Sequence, residues 1–179
     1  GLLSYYGRVS YNYLEKYLFD ATIRADGSSN FAKDKRWGYF PSVSAGWIFS
    51  EEDMVKEFSW LSFGKLRASW GQNGNQSIPN FIYSSNISYL PQGYYFGPDK
   101  LVSSATAIPA NVPNPDVTWE TSEQLNIGFD TRFLNSKLGV SFDWYNKKTK
   151  DWLVLAPILG TSGAGAPYIN GGDIKNSGI

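Results

Sequence analysis

One long irregular stretch of the sequence, at 72–117, contains six tyrosines and phenylalanines, and prolines recur in it. Such rings combine a large apolar area with a polar edge, so they can stack on sugar rings or anchor a partner protein. By this criterion five residues are weak candidates for substrate binding: Tyr83, Tyr89, Tyr94, Tyr95 and Phe96. A long loop is usually functional or disordered. The alternative role for these rings is to pack the loop against itself.

The residue types on which most enzymes depend are scarce. The chain contains no histidine and no cysteine, which removes the commonest general base and metal ligand and every thiolate site. Neighbouring acids such as Glu51 and Glu52, or Asp20 and Asp26, have the chemistry of a glycosidase pair. That reaction needs two carboxyl groups about 5–10 Å apart in a cleft, and nothing in the sequence builds such a cleft. We expect no catalytic residue and no enzyme activity.

Two further patterns predict turns instead of ligand sites. Asp26, Asp34 and Asp116 lie near predicted turns without the regular oxygen spacing of a calcium loop. The glycine-rich run at 161–167 lacks the strand-to-helix context and the Lys-Ser/Thr pair of a phosphate-binding loop. We therefore expect no metal and no cofactor. The 16 basic and 16 acidic residues balance, which argues against nucleic acid as a partner.

The elements that position these residues are predicted by alternation of apolar and polar side chains. In one stretch, Tyr17, Phe19, Ala21 and Ile23 alternate with Leu18, Asp20, Thr22 and Arg24, the period of a β-strand with one apolar face. Six such stretches predict an all-β, antiparallel, up-and-down meander. The strands are expected near 4–13, 17–26, 39–49, 64–71, 118–133 and 138–148.

Apolar residues oppose one another when the strands are paired in particular registers. Positions that sum to 30 pair Tyr11 with Phe19, and positions that sum to 271 pair Phe129 with Phe142. Pro41 cannot donate to a ladder, so it implies an edge, a bulge or a strand start. Ser50, followed by three acids, predicts the cap of a short helical turn that ends near Phe58.

The links between the predicted strands are alternately short and long. The links at 14–16 and 135–136, with the modest link at 50–63, fall on one side of the sheet, and those at 27–37, 72–117 and beyond 148 fall on the other. In outer-membrane barrels the short turns are periplasmic and the long loops extracellular. The pattern therefore predicts long extracellular loops and one short periplasmic helical turn.

This assignment predicts two aromatic belts on the apolar face, one at each membrane interface. The lower belt consists of Tyr11, Tyr13, Tyr17, Phe19, Trp47, Phe49 and Phe133. The upper belt consists of Tyr5, Tyr39, Trp70, Trp119 and Trp144. The opposite face carries the charged residues Arg8, Asp20, Arg24, Asp26, Lys65, Arg67, Asp130 and Asp143, interpreted as structural wall charges.

Alternation alone also fits a soluble, carbohydrate-binding β-sandwich, and a glycoside-hydrolase domain is a third possibility. The decisive difference lies in what covers the apolar face. A sandwich must bury Val9, Ile23, Val43, Ile127 and Val140 between two sheets, whereas a barrel points them away from its enclosed space.

Several motifs, in order along nearly the whole chain, are similar to those of one family. They are Arg24 to Phe31, Trp37 to Trp47, Leu66 to Gln76, Asn114 through Trp119 to Asp130, and Asp143 to Asp151. These segments resemble the barrel of SusC/RagA-type TonB-dependent transporters. The resemblance implies that 1–179 is a partial receptor barrel domain, without the plug domain and the remaining strands of a barrel of about 22 strands.

The resemblance also implies a function and partners. The family lies in the cell outer membrane of Gram-negative bacteria, in contact with outer-membrane lipid, and imports nutrients such as glycans or peptides. The TonB complex supplies the energy, and a SusD-like surface lipoprotein usually covers the barrel. The contacts with the SusD-like lipoprotein and with the TonB complex are expected through parts of the full protein that this chain does not contain.

Overall fold

The chain folds as an antiparallel meander with hairpins in its long links. The computed structural model describes residues 1–84, 86–96 and 102–179, and its description of side chains leaves out 92–104. The strands are β1 (Leu2–Tyr13), β2 (Tyr17–Ser28), β3 (Trp37–Trp47), β4 (Leu61–Asn75), β5 (Ile87–Phe96), β6 (Val102–Pro109), β7 (Glu120–Phe133), β8 (Leu138–Lys150), β9 (Leu153–Leu155), β10 (Tyr168–Asn170) and β11 (Ile174–Gly178).

One sheet contains most of the strands, and its order follows the chain. Neighbours run β1-β2-β3-β4-β7-β8-β11, and all pairs in this sheet are antiparallel. The predicted all-β meander is thus confirmed. Its seventh strand, β11, was not predicted, because five residues of mixed polarity carry little alternation signal.

The prediction of one irregular stretch at 72–117 was wrong. Strand β4 continues to Asn75, and β5 pairs with β6 in a separate two-stranded sheet. A second small hairpin, β9 with β10, lies in the link between β8 and β11. Both hairpins lie on the side of the long links.

The predicted registers are confirmed residue by residue. Tyr11 pairs with Phe19 in β1 and β2, and Phe129 pairs with Phe142 in β7 and β8. Since a shift of one position would turn every side chain to the opposite face, these registers determine which residues share a face.

The short links turn through left-handed backbone. Leu14 and Glu15 have φ of 52° and 57°, and Leu134, Asn135 and Ser136 have φ between 53° and 62°. Apart from asparagine, these residue types seldom adopt this region. Pairing of the flanking strands requires a short turn, so it imposes left-handed backbone on residues that would not prefer it.

The short helical turn is present, but its predicted cap was wrong. A 3-10 turn covers Phe49–Glu51 and helix α1 covers Asp53–Lys56, with Ile48 and Glu52 at their N-cap positions and no side-chain cap in either. The Ser50 hydroxyl is buried without a protein partner. The capping pattern failed because the chain makes two separate turns here instead of one helix. Within the described ranges, no helix is long and apolar enough to cross a membrane.

Pro41 marks a local edge between β3 and β4. It pairs with Ile23 in β2, whereas the ladder between β3 and β4 begins one residue later, at Ser42 and Gly71. The missing N–H therefore costs no bond on the β4 side, which confirms the edge interpretation.

A compact apolar cluster, here called the loop cluster, lies among the long links. Its members are buried: Phe31, Phe40, Ile78, Ile82, Val117 and Trp119. The Trp119 indole packs 5.1 Å from the Phe31 ring centroid and donates a hydrogen bond of 3.0 Å to the Arg36 carbonyl. Its placement in the upper belt was wrong, because the long links fold over it.

Polar contacts extend the loop cluster to the link after β8. The Asn170 side chain donates to the Thr118 and Asp151 carbonyls and accepts from the Thr118 amide, each at 2.9 Å. Asn114 donates to the Tyr168 carbonyl at 2.7 Å. The three long links, between β2 and β3, between β4 and β7 and between β8 and β11, are therefore joined into one body at this end of the sheet.

We expect Phe31→Ala in the intact protein to loosen the long links while the sheet stays assembled. The Phe31 side chain is fully buried, and truncation of such a residue costs about 3–5 kcal/mol. Limited proteolysis should cut the links at least several-fold faster. The matched control is Phe81→Ala, since Phe81 is 55% exposed. Equal cleavage of the two variants would contradict the assigned role of the loop cluster.

Candidate functional site

The sheet has one face of exposed apolar side chains, here called the apolar face. Val9 is 66% exposed, Ile23 56% and Ile127 48%, and Val43 and Val140 are also exposed. Phe129 is half-buried only by its neighbours, and its ring stacks on that of Phe142 at 5.7 Å. No described residue forms a second layer over these side chains, as a sandwich would require.

The opposite face, here called the polar face, carries ion pairs between neighbouring strands. Arg8 lies 2.8 Å from the Asp20 carboxylate, and Arg24 lies 2.7 Å from Asp26. The predicted wall charges are therefore brought together on one face. Arg8 is exposed and Asp20 is partly exposed, so this pair contributes little to stability, whereas the Asp26 carboxylate is buried.

Arg67 joins three strands of the polar face. Its guanidinium lies 3.0 Å from Asp130 and 2.7 Å from Asp143. Between them Gly128 leaves the space for this approach, since a Cβ there would lie 2.7 Å from an Asp143 oxygen. The predicted pairing of Gly128 with Asp143 is confirmed. This pairing lets Arg67 reach the Asp143 carboxylate.

The apolar face on β7 is somewhat shorter than the about 25 Å apolar band of outer-membrane barrels. On β7 the apolar residues run from Leu125 to Phe133, about 26 Å along the strand, or about 20 Å along the normal at the usual barrel tilt of about 40°. Above Leu125 the same face becomes charged, where Glu123 accepts from the Trp70 indole at 2.9 Å and pairs with Lys150 at 2.8 Å.

The lower aromatic belt lies on the apolar face at the short-link end, as predicted. Neighbouring rings there approach within 6.0–6.5 Å, as between Tyr13 and Tyr17 or Trp47 and Phe49. The structure adds two residues that sequence reasoning missed. Trp60 stacks on Phe133 at 5.7 Å, and Phe58 packs against Trp60. They lie in an irregular link, where alternation gives no signal.

The upper belt is only partly as predicted. Tyr5 and Tyr39 are exposed on the apolar face, and Trp70 and Trp144 are half-buried there. Trp119 does not belong to the belt. Trp37, which the prediction omitted, does belong to it, because it is 45% exposed and its ring stacks on that of Tyr5 at 6.2 Å.

A cluster at the short-link end, here called the Glu52 cluster, ties three elements together. The Glu52 carboxylate accepts from the Tyr17 hydroxyl at 2.7 Å, the Trp47 indole at 3.2 Å and the Lys16 ammonium at 3.4 Å. The hydrogen bond from Tyr17, helped by those from Trp47 and Lys16, holds the pKa of Glu52 below its usual 4.5.

At the opposite end Asp173 and Lys148 join the link before β11 to β8. The two side chains lie 2.7 Å apart. The hydrogen bond from Lys148 lowers the pKa of Asp173 from its usual 3.8. Both carboxylates, Glu52 and Asp173, are therefore stabilised in their charged form by neighbours on other elements.

The candidate substrate-binding rings lie in the long links, in different places. Tyr83 is half-buried in a turn, with its ring centroid 6.3 Å from that of Phe81. Tyr89 is 76% exposed on β5. The side chains of Tyr94, Tyr95 and Phe96 lie outside the described residues.

The acids that resemble a glycosidase pair have structural partners. Glu51 forms an ion pair with Lys56 at 3.2 Å, and Glu52 belongs to the Glu52 cluster. Asp20 accepts from Arg8 and Ser10, and Asp26 accepts from Arg24. In the described part of the chain no three His, Cys, Asp or Glu side chains group as metal ligands.

Comparison with known proteins gives one consistent family. The family described as "TonB dependent receptor-like, beta-barrel" matches residues 2–179. The chain is 36% identical over 177 residues to TonB-dependent receptor P3 of Formosa agariphila, covering 99% of this chain and 17% of that protein. It is 37% identical over 188 residues to TonB-dependent receptor SusC of Bacteroides thetaiotaomicron, covering 99% and 18%.

A solved structure shows the same arrangement of strands. The RagAB peptide importer in its closed-closed state superposes with a TM-score of 0.84 at 28% identity, over 98% of this chain and 18% of that chain. The chain thus spans less than a fifth of the length of these relatives.

The Glu52 cluster predicts a pH dependence of stability. Because the pKa of Glu52 is lower in the folded protein, the stabilisation is present above pH 4.5 and is lost as the pH falls through the folded pKa. Glu52→Gln should lower the melting temperature of the intact protein at neutral pH, and this difference should shrink in acid.

Thermal unfolding in detergent as a function of pH measures this effect. The matched control is Glu51→Gln, since the Glu51–Lys56 pair is about half exposed and is expected to contribute little. A Glu52→Gln difference that stayed constant from neutral pH to well below pH 4.5 would exclude the assigned role of the carboxylate.

Proposed function

The chain belongs to the TonB-dependent receptor-like β-barrel family, and from this premise we propose that residues 1–179 are one wall segment of a larger outer-membrane transporter. The segment is a partial receptor barrel domain, and further strands extend the sheet at β1 and β11. The observation that carries the proposal is the open apolar face opposite a face of ion pairs. Lipid covers such a face in a membrane barrel.

We propose that the whole protein resides in the outer membrane of a Gram-negative bacterium and imports large nutrients. Support comes from relatives named as SusC and as the RagAB peptide importer, which point to glycans or peptides as cargo. The TonB complex energises transport, and a SusD-like surface lipoprotein is the expected partner. The role of this segment is structural and non-enzymatic.

The long links are the part of the segment that faces cargo and the lipoprotein. They are joined through the loop cluster into one body, so they form a defined surface at the extracellular end. We propose Tyr83, Tyr89, Tyr94, Tyr95 and Phe96 as contacts for cargo or lipoprotein on these links. Tyr89 supports this role best, because its ring is 76% exposed.

The soluble sandwich is not favoured by any observation on the described residues. Five residues that a sandwich must bury are exposed, among them Val9 at 66% and Ile23 at 56%. Exposure of so many apolar side chains to water would make the protein aggregate.

Ile127→Arg should block assembly of the intact protein into the outer membrane. Ile127 lies near the middle of the apolar face, where a charge costs about 2–4 kcal/mol. The matched control is Asn126→Arg, the next residue on the same strand, which points to the polar face. The readout is the amount of heat-modifiable protein in the outer-membrane fraction. Equal recovery of both variants would contradict the assignment of the two faces.

Deletion of the gene should abolish growth on at least one nutrient that is too large for porin diffusion. A strain with and without the gene is compared on single polysaccharides, on protein digests and on the corresponding monosaccharides or amino acids. We expect loss of growth on one of the large nutrients and normal growth on its monomers. Identical growth of both strains on every large nutrient would argue against the transport function.

A further inference from the structure

The apolar face contains a depression with two alanines at its floor. Ala45 of β3 pairs directly with Ala68 of β4, and both are exposed. The registers surround this pair with six larger apolar side chains: Phe19, Val43, Trp47, Leu66, Trp70 and Ile127. The result is a groove, here called the alanine groove, that runs along β3 and β4.

Two adjoining cavities of about 480 Å³ and 170 Å³ fill the alanine groove. Both include Phe19, Ala45 and Ala68 in their lining. From Val43 to Trp47 the groove extends four residues along the strand, or about 14 Å. It is thus long, narrow and apolar. The polar groups at its floor are backbone groups already paired in the ladder.

The aromatic walls at the two ends of the groove are held in place. The Trp47 indole donates to Glu52 at 3.2 Å, and the Trp70 indole donates to Glu123 at 2.9 Å. At the wider end, the Tyr17 hydroxyl also donates to Glu52. Because both tryptophans are already held by carboxylates, little side-chain conformational freedom is lost when the groove is filled.

We propose that the alanine groove binds one acyl chain of a phospholipid, which enters at the short-link rim beside Tyr17 and Trp47. This inference rests on the proposed membrane location and adds a defined lipid site to it. The groove lies in the interior of the sheet, flanked by β2 and β7. Further strands joining at β1 or β11 therefore leave it open to the bilayer. A flexible apolar chain matches its length and its lack of free polar groups.

The test counts phospholipids retained by the intact protein after extraction from the membrane in mild detergent, by native mass spectrometry. We expect the wild type to keep one phospholipid per protein that the double variant A45L/A68L loses, with at least a several-fold fall in occupancy. The matched control is Ala21→Leu, which lies on the same face of β2 opposite Val43, outside the groove. The control should retain lipid as the wild type does.

Equal retention by the double variant and the wild type would overturn the proposal. So would a double variant that keeps its lipid but loses a dimer, because a second copy of the chain would then be the occupant. A protein absent from the outer-membrane fraction would instead refute the proposed function, so the two failures are distinguishable.

A second measurement uses the wild type alone and so does not depend on folding of the variant. A phospholipid with a photoreactive acyl chain is cross-linked to the protein in the membrane, and the labelled peptides are mapped. We expect labelling, assigned to single residues within the labelled peptides, to concentrate at Phe19, Leu66 and Ile127. Labelling spread evenly over the apolar face, including Ile23 and Val140, would refute a defined site.

Discussion

The fold depends on one constraint, the pairing of every strand with a neighbour through a continuous antiparallel ladder. In hydrocarbon no water is available for an unpaired N–H or C=O, so each such group costs several kcal/mol. Strands β2, β3, β4, β7 and β8 have partners on both sides, whereas β1 and β11 are the outer strands of the sheet. Because of this constraint, we expect the segment to be stable in a membrane only as part of a larger closed barrel wall.

The ladder also determines which side chains lie on each face of the sheet, and the two ends of the sheet are stabilised by different contacts. Because side chains alternate along a strand, a single set of registers places Ile127 and Phe129 on one face and Arg67 with its two aspartates on the other. At the short-link end the Glu52 cluster joins three elements across the rim. At the other end the loop cluster builds a small core of its own, which the sheet itself does not have.

The sequence was a good guide wherever period-two alternation was long. It predicted the faces of all six long strands of the meander, and the registers through Tyr11 and Phe129 agree with the structure. It failed where residues are close in space but belong to different links. From the alternation of the predicted strand at 118–133, Trp119 was expected in the upper aromatic belt. It is instead buried against Phe31, which is far away in the sequence. Phe58 and Trp60 lie in a link and show no period at all.

By itself, then, the sequence determined the fold class, the two faces and the family resemblance, because all three follow from patterns among residues that are close together in the chain. Only the tertiary structure decided which links join in the loop cluster and how Glu52 fixes Tyr17 and Trp47. It also placed Ala45 beside Ala68 beneath a ring of larger side chains. These features arise from contacts between separate strands and links, and their spacing along the chain carries no local signal.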